Sequence, residues 1–235
     1  MPPEKRDQSR LMIVDREKKV IEHQKFFEIV QYLRRGDLLV WNNTKVFKAR
    51  LKGEIFSGEG AKVLNSAPVE IFLVRPMENK FVWKALAKPG KRLRLGMKVQ
   101  FAPDFFCEVL LKEKDGTVLV QFEDDDVTVR AKANQYGEVP IPPYIKTVPK
   151  SAVVCSPSTV VGELQTTDYG LQLAELYQTV YAQNEGSVAA PTAGFHFTPE
   201  LIENMHRRGI EFAEVTLHVG LGTFLPVKTD VVEEH

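Results

Sequence analysis

Apolar and polar positions change period several times along the chain, and each change marks an element. Leu11–Val14 and Val20–His23 are short apolar runs about the polar turn Asp15–Lys19, which predicts a hairpin. Phe26, Ile29, Val30 and Leu33 then recur at helical spacing, and Gly36 follows Arg34 and Arg35 as a helix end. Asp37–Trp41 reads as a buried strand running into Asn42–Leu51. From Leu51 to about Arg130 the texture becomes short alternating runs between turns: Val69–Val74, Phe81–Ala87, Lys98–Phe101, Cys107–Leu111, Val118–Phe122 and Val127–Val129. Regular spacing, glycines and the lack of a helical period predict a small β-barrel. Gly137–Ile145 is extended and proline-locked, a natural return linker. Leu173, Tyr177, Val180 and Tyr181 next suggest a helix.

The clearest element signals come late. Thr198 is a good N-cap, Pro199 suits the first helical position and Glu200 faces the positive end of the dipole. Leu201, Ile202 and Met205 form an apolar stripe, His206–Arg208 fill the last turn, and Gly209 supplies the left-handed residue after it. With Ser187–Ala190 and Ile210–Val219 as strands, this is a β-loop-α-β unit, expected to be parallel with a right-handed crossover. The fold class is therefore mixed α/β (α+β). An α/β layered domain over 1–50 and 147–235 carries an inserted small β-barrel domain over 51–146. Thr147–Gly170 reads as a solvent-exposed loop.

The parallel reading brings two loops to one sheet edge, where open α/β sheets bind ligands. They are Pro191-Thr-Ala-Gly-Phe-His-Phe-Thr198 and Thr216-Leu-His-Val-Gly-Leu-Gly-Thr-Phe-Leu-Pro-Val227. Gly194, Gly220 and Gly222 allow close backbone approach, Thr192, Thr216 and Thr223 offer hydroxyls, and His196 and His218 titrate near neutrality as a class. The plainer reading is a pair of tight connections with hydrogen-bonded core histidines. Gly220-Leu-Gly222 is not a dinucleotide fingerprint, since Leu225 stands at the third glycine position and Pro226 follows.

Composition narrows the classes. The 235 residues suffice for one large or two small domains with ample core, and the composition is that of a soluble globular protein. No apolar run is long enough to span a membrane and no signal peptide opens the chain, so a cytoplasmic location is expected. Cys107 and Cys155 stand far apart and the five histidines show no H-E-x-x-H spacing, so neither a disulfide framework nor a metal is expected. Net charge is zero, so nucleic-acid contact needs a local patch. Lys84–Lys98 supplies one, with six cations and no anion, and Glu123–Asp126 provides the opposite sign. A hairpin presenting Lys88, Lys91, Arg92 and Arg94 could hold an RNA backbone; the alternative is an edge hairpin protected by lysines.

Several stretches carry a resemblance. Tyr177-Gln-Thr-Val-Tyr-Ala182, Val188–Thr198 and Val215–Phe224 are similar to the S-adenosylmethionine:tRNA ribosyltransferase-isomerase family of queuosine biosynthesis. Asn42–Leu51 resembles its Asn-Asp-Thr-Arg-Val-Ile-Pro-Ala-Arg-Leu, with Asn43 for the Asp, Lys45 for the Arg and Lys48 for the Pro. Gly137–Ile145 resembles its Leu-Pro-Leu-Pro-Pro-Tyr-Ile. Thr147–Gly170 has no counterpart, and Leu176 stands where the family has Arg. The resemblance implies transfer of the ribosyl part of S-adenosylmethionine onto 7-aminomethyl-7-deazaguanine in the tRNA anticodon. Isomerisation to an epoxycyclopentane, giving epoxyqueuosine, and release of adenine and methionine follow. S-adenosylmethionine is then a substrate, and no cofactor or metal is implied.

On that reading the partners are S-adenosylmethionine and tRNA, with no membrane. His196 and His218 are candidates for base or proton donor. Thr192, Gly194, Gly220, Gly222, Thr223, Asn42 and Thr44 are candidates for substrate contact, although a strand-to-turn corner also accounts for Asn42 and Thr44. Tyr177 and Tyr181 either stack on a base or belong to the core. The family pattern begins earlier and continues past His235, so the chain reads as a truncated copy. A non-catalytic RNA-binding derivative and another S-adenosylmethionine user, such as a methyltransferase, are the rival functions.

Overall fold

A computed structural model describes residues 5–56, 68–141, 176–220, 222 and 231. Expectations for Thr147–Gly170, Cys155, Leu173 and Thr223 lie outside those residues. The described residues fall into two compact units, one within Met1–Lys45 and Gln178–Val219, the other within Val46–Tyr177 and Gly220–His235. No described helix is long and apolar enough to cross a membrane.

In the first unit, β1 (Arg10–Asp15) and β2 (Val20–Lys25) form an antiparallel hairpin. Asp15 Oδ1 accepts from Lys18 N at 2.9 Å, and Lys19 takes the left-handed conformation at φ 55°. Phe26–Gln31 is a 3-10 helix rather than the expected α-helix. Phe26, Phe27, Ile29 and Val30 are aromatic or β-branched and lose side-chain freedom in an α-helix, and Glu28 Oε2 closes the first turn by accepting from Lys25 N at 2.8 Å.

β3 (Leu38–Asn42) pairs in parallel with β12 (Glu211–Val215), Leu39 opposite Phe212. This strand is not buried as expected: Leu38 is 55% and Val40 60% exposed, because the core lies on one face only. That core joins Phe26, Val30, Leu201, Met205 and Ile210, with Leu39 and Phe212 packed against it. Leu201 and Met205 come from the helix Pro199–Arg207, which starts and stops as its sequence signals. Leu201 N donates to Thr198 Oγ1 at 3.2 Å, and Gly209 follows at φ 77°.

The strand flanking the first loop is shifted. Asn184–Ser187 (β11) forms it, instead of Ser187–Ala190, and it pairs with β4 (Thr44–Val46), not with β12. The two segments named as neighbouring parallel strands are thus not paired. Ser187 Oγ ends β11 by donating to Ala189 O at 2.7 Å and accepting from Val219 N at 2.9 Å. Val180 and Tyr181 lie in a turn, outside any helix.

The second unit is a closed barrel. Its strands are β5 (Arg50–Phe56), β6 (Val69–Pro76), β7 (Val82–Lys88), β8 (Lys98–Ala102), β9 (Phe105–Lys112) and β10 (Val118–Phe122). They close in the order β10-β7-β6-β5-β8-β9. β5 makes the corner: Arg50–Gly53 pair with β6 and Glu54–Phe56 with β8. Gly53 is the residue where it switches, and a Cβ there would stand 2.5 Å from Gln100 O. Inside, Leu51, Ile71, Leu73, Trp83, Val99, Phe105, Val109 and Val120 are fully buried. Cys107 is buried too, and desolvation pushes its thiol well above the usual range, so it packs as a small apolar side chain.

The expected strand Val127–Val129 is instead the start of α1 (Asp126–Tyr136). Asp125 caps it, its Oδ1 accepting from Thr128 N at 2.9 Å, and Val129 and Ala133 face the interior. The acidic run Glu123–Asp126 is a helix start in disguise, with acid at the cap and in the first turn.

Candidate functional site

The carboxyl ends of β3 and β12 meet in a ladder of side-chain amides and hydroxyls. Asn42 holds the loop after β12 as a strand would: its Nδ2 donates to Leu217 O at 2.8 Å and its Oδ1 accepts from Leu217 N at 3.0 Å. The same oxygen accepts from Thr44 N at 3.1 Å. Asn43, buried, takes Thr216 Oγ1 at 2.7 Å and Asn184 Nδ2 at 3.1 Å on its oxygen and gives its amide to Glu214 Oε2 at 3.0 Å. Asn184 Nδ2 also donates to Thr216 Oγ1 at 2.9 Å. Thr44, fully buried, places Oγ1 2.8 Å from His218 Nδ1, with the direction of that bond following the ring's tautomer. His218 is otherwise exposed, and its ring lies against Gly186, where a Cβ would stand 2.6 Å from Nε2. Gly186 is glycine because the imidazole occupies that space.

An aromatic cluster underlies the ladder. Trp41 and Tyr181 stack at 4.2 Å and 10°, and Phe212 and Phe197 pack on Trp41 at 4.5 and 6.4 Å. Burial raises the Tyr181 hydroxyl above its ordinary value, which keeps it a donor. His196 ends the 3-10 turn Thr192–His196, and its ring packs on Phe26 at 5.1 Å. Gly194 is buried in the same cluster: a Cβ there would run into the Tyr181 hydroxyl and stand 2.7 Å from Thr179 Cγ2. Its smallness therefore serves packing against Tyr181.

The sequence-derived candidates thus sort into groups. Asn42, Thr44 and His218 come together directly, joined by Asn43 and Thr216. Gly194 and His196 sit in the aromatic cluster, and Thr192 is exposed on its turn. Gly220 and Gly222 have open space where a side chain would be. Asn184, Gly186 and Glu214 were missed. Their hydrogen-bonding role depends on pairings far apart in the chain, and only Gly186, in the middle of a strand, left a local signal. Asn43 explains its own identity: an aspartate would set two carboxylates about 3.0 Å apart, whereas the amide donates to Glu214.

In the barrel, Lys88, Lys91, Arg92 and Arg94 are exposed, and none enters a salt bridge among the described residues. They do not form a hairpin. β7 pairs with β10 and β6, β8 with β5 and β9, so the segment is a crossover between non-adjacent strands. Gly90–Arg92 is a 3-10 turn after a cis Lys88–Pro89 bond, anchored by fully buried Leu93 and by Lys112 Nζ donating to Gly90 O at 2.8 Å. A closed barrel has no free edge there to protect, which removes the edge-hairpin alternative. The acidic run does not face this segment as a counter-charge: Asp126 pairs with Arg130 at 2.9 Å and Asp124 with Lys132 at 2.7 Å. Among the described residues no group of three or more His, Cys, Asp or Glu converges as a metal site.

Comparison with known proteins places the chain in a family. The chain matches the model of the queuosine biosynthesis protein over residues 1–235. It is 41% identical over 234 residues to the S-adenosylmethionine:tRNA ribosyltransferase-isomerase of Sulfurihydrogenibium sp., covering 100% of this chain and 60% of that protein. It is 43% identical over 236 residues to the protein so named from Thermotoga petrophila, covering 100% of this chain and 59% of that one. The crystal structure of an S-adenosylmethionine tRNA ribosyltransferase from Thermotoga maritima, 30% identical, covers 93% of this chain and 53% of its own, with a TM-score of 0.33. The chain thus spans about 60% of the length of these curated relatives. It belongs to the queuosine biosynthesis protein family.

Proposed function

We propose that this chain carries part of the machinery that transfers the ribosyl group of S-adenosylmethionine to 7-aminomethyl-7-deazaguanine in tRNA and isomerises it to the epoxycyclopentane, releasing adenine and methionine. The observation that supports this best is the Asn42–Thr44–His218 arrangement at the carboxyl ends of two parallel strands, the place where such sheets bind ligands. A sulfonium acidifies the neighbouring ribosyl methylene and makes the thioether a good leaving group, so the protein must supply a positioned base and a donor for departing adenine. His218 meets that need, because Thr44 fixes one ring nitrogen while the ring remains exposed. His196 is the second candidate. Thr192, Gly220, Gly222 and Thr223 are proposed for substrate contact and Gly194 for packing behind it. S-adenosylmethionine enters as a substrate, and no metal or other cofactor is invoked.

The tRNA partner is proposed to lie on Lys88, Lys91, Arg92 and Arg94, which gather positive charge on one exposed crossover. The deciding experiment measures adenine release from S-adenosylmethionine with substrate tRNA. Adenine formed with tRNA present, and lost in His218→Ala, supports the reading. tRNA binding without adenine release supports the non-catalytic RNA-binding derivative instead, and S-adenosylhomocysteine as product supports a methyltransferase.

A further inference from the structure

Glu214 is built unlike any other carboxylate among the described residues. Three neutral N–H groups converge on it, two from the end of β3 and one from the segment before β11. Asn43 Nδ2 donates to Oε2 at 3.0 Å, and Gln183 Nε2 and Trp41 Nε1 donate to Oε1 at 3.3 and 3.4 Å. Two of the donors are themselves held. Asn43 is buried and bonded through its oxygen to Thr216 and Asn184, and Trp41 is clamped between Tyr181 and Phe212. Yet the carboxylate is exposed and enters no salt bridge among the described residues. Donors of this kind fix the orientation of an anion without neutralising it. The barrel's Glu113 and Asp115, by contrast, share a cation, Lys84.

We infer that Glu214 is the anion that receives a positively charged group of the ligand, a sulfonium or an ammonium. This rests on the proposed function, which supplies two such sources: S-adenosylmethionine and the aminomethyl group of the deazaguanine base. Location supports it. Glu214 lies two residues before Thr216, and the Asn43 amide that holds it is one link from the loop bearing His218. The indole below it stacks on Tyr181, so the carboxylate sits at the rim of an aromatic surface, a combination suited to organic cations.

The test measures binding of S-adenosylmethionine, of free 7-aminomethyl-7-deazaguanine and of the uncharged 5′-methylthioadenosine to the whole chain by calorimetry. Glu214→Gln should weaken one of the two cations by about tenfold, the scale of one lost charged hydrogen bond, and leave methylthioadenosine unchanged. Which cation is affected identifies the source. The conservative variant Glu214→Asp keeps the negative charge at the exposed position and should retain most of the affinity for that cation. It carries the test should Glu214→Gln unfold.

Unchanged binding of both cations in Glu214→Gln overturns the inference and leaves the proposed function standing. An equal loss of methylthioadenosine also overturns it, because the carboxylate would then act only through the fold. Failure of the unaltered protein to bind either cation overturns the proposed function and this role with it.

Discussion

The barrel and the end of the β3–β12 pair both concentrate polar side chains, and they satisfy them by opposite means. In the barrel the partners are opposite charges: Lys84 meets Glu113 at 2.7 Å and Asp115 at 2.9 Å, and Lys132 meets Asp124 at 2.7 Å. All strand edges there are paired around the closed ring. At the β3–β12 end the partners are neutral amides and hydroxyls, and the one carboxylate among them has no cation among the described residues. Leu38 and Val40 lie bare on the outer face of that pair. Charge pairs between strands serve a surface that must only hold its shape. A network of fixed neutral donors beside an uncompensated anion and an accessible imidazole is what the proposed function and the Glu214 inference call for.

The largest effects that would break this contrast lie in the two cores. Leu73→Ala in the barrel and Met205→Ala under β12 each remove a fully buried side chain, and each should cost roughly 2–5 kcal/mol in urea unfolding. A loss well under 1 kcal/mol at Met205 would mean that the small core around it contributes little to holding the site.

Next come the two histidines, which should separate. His218→Ala should lower single-turnover adenine release about a hundredfold with little change in thermal midpoint, since its ring is exposed. His196→Ala should lower the midpoint as well, because it removes a ring packed on Phe26. Equal behaviour of the two variants would erase the distinction between a ring at the ladder and a ring in the aromatic cluster.

How much of this was legible in the sequence follows the range of the forces involved. The helix Pro199–Arg207 was readable to its caps because Thr198, Pro199 and Gly209 act within a few residues. Five of the six barrel strands were readable from their short alternating runs, the corner strand β5 was not named, and the β1–β2 hairpin was readable from its turn. α1 was missed because Val127, Thr128 and Val129 are β-formers, while the capping bond from Thr128 N to Asp125 decided the outcome. The pairing of β12 with β3 joins residues more than 170 positions apart, which no local pattern encodes. Within the site, Asn42, Thr44 and His218 were named from the sequence. Their mutual bonds and the convergence on Glu214 are products of that same long-range pairing.

A smaller effect tests the barrel's cationic crossover. Replacing Lys91, Arg92 and Arg94 with Ala should weaken tRNA binding and flatten its salt dependence by roughly one unit of slope per lost phosphate contact. S-adenosylmethionine binding should not change. An unaltered slope would leave these residues as a solvated crossover and remove the barrel from RNA recognition.

The smallest expected effect concerns the charge pairs themselves. Hydrogen bonds from Thr117 and Lys84 hold Asp115 well below the usual carboxylate range, and those from Lys84 and Thr117 lower Glu113. A carboxylate lowered on folding adds stability above its unfolded value, here 3.8 for Asp115 and 4.5 for Glu113, and loses it as pH falls through the folded value. Lys84, raised by the same two partners, contributes below its unfolded value of 10.5 and loses that as pH rises through its folded value. Both contributions overlap between about pH 5 and 10, so Lys84→Met should lower the thermal midpoint slightly across that window. All three groups are solvent-accessible, which keeps the effect small. The two curves should draw together as pH falls below about 4, and go on doing so while each carboxylate passes through its lowered folded value. Coincident curves for Lys84→Met and the parent protein between about pH 5 and 10 would show that the barrel's charge cluster stabilises nothing, and with it would go the contrast between the two networks.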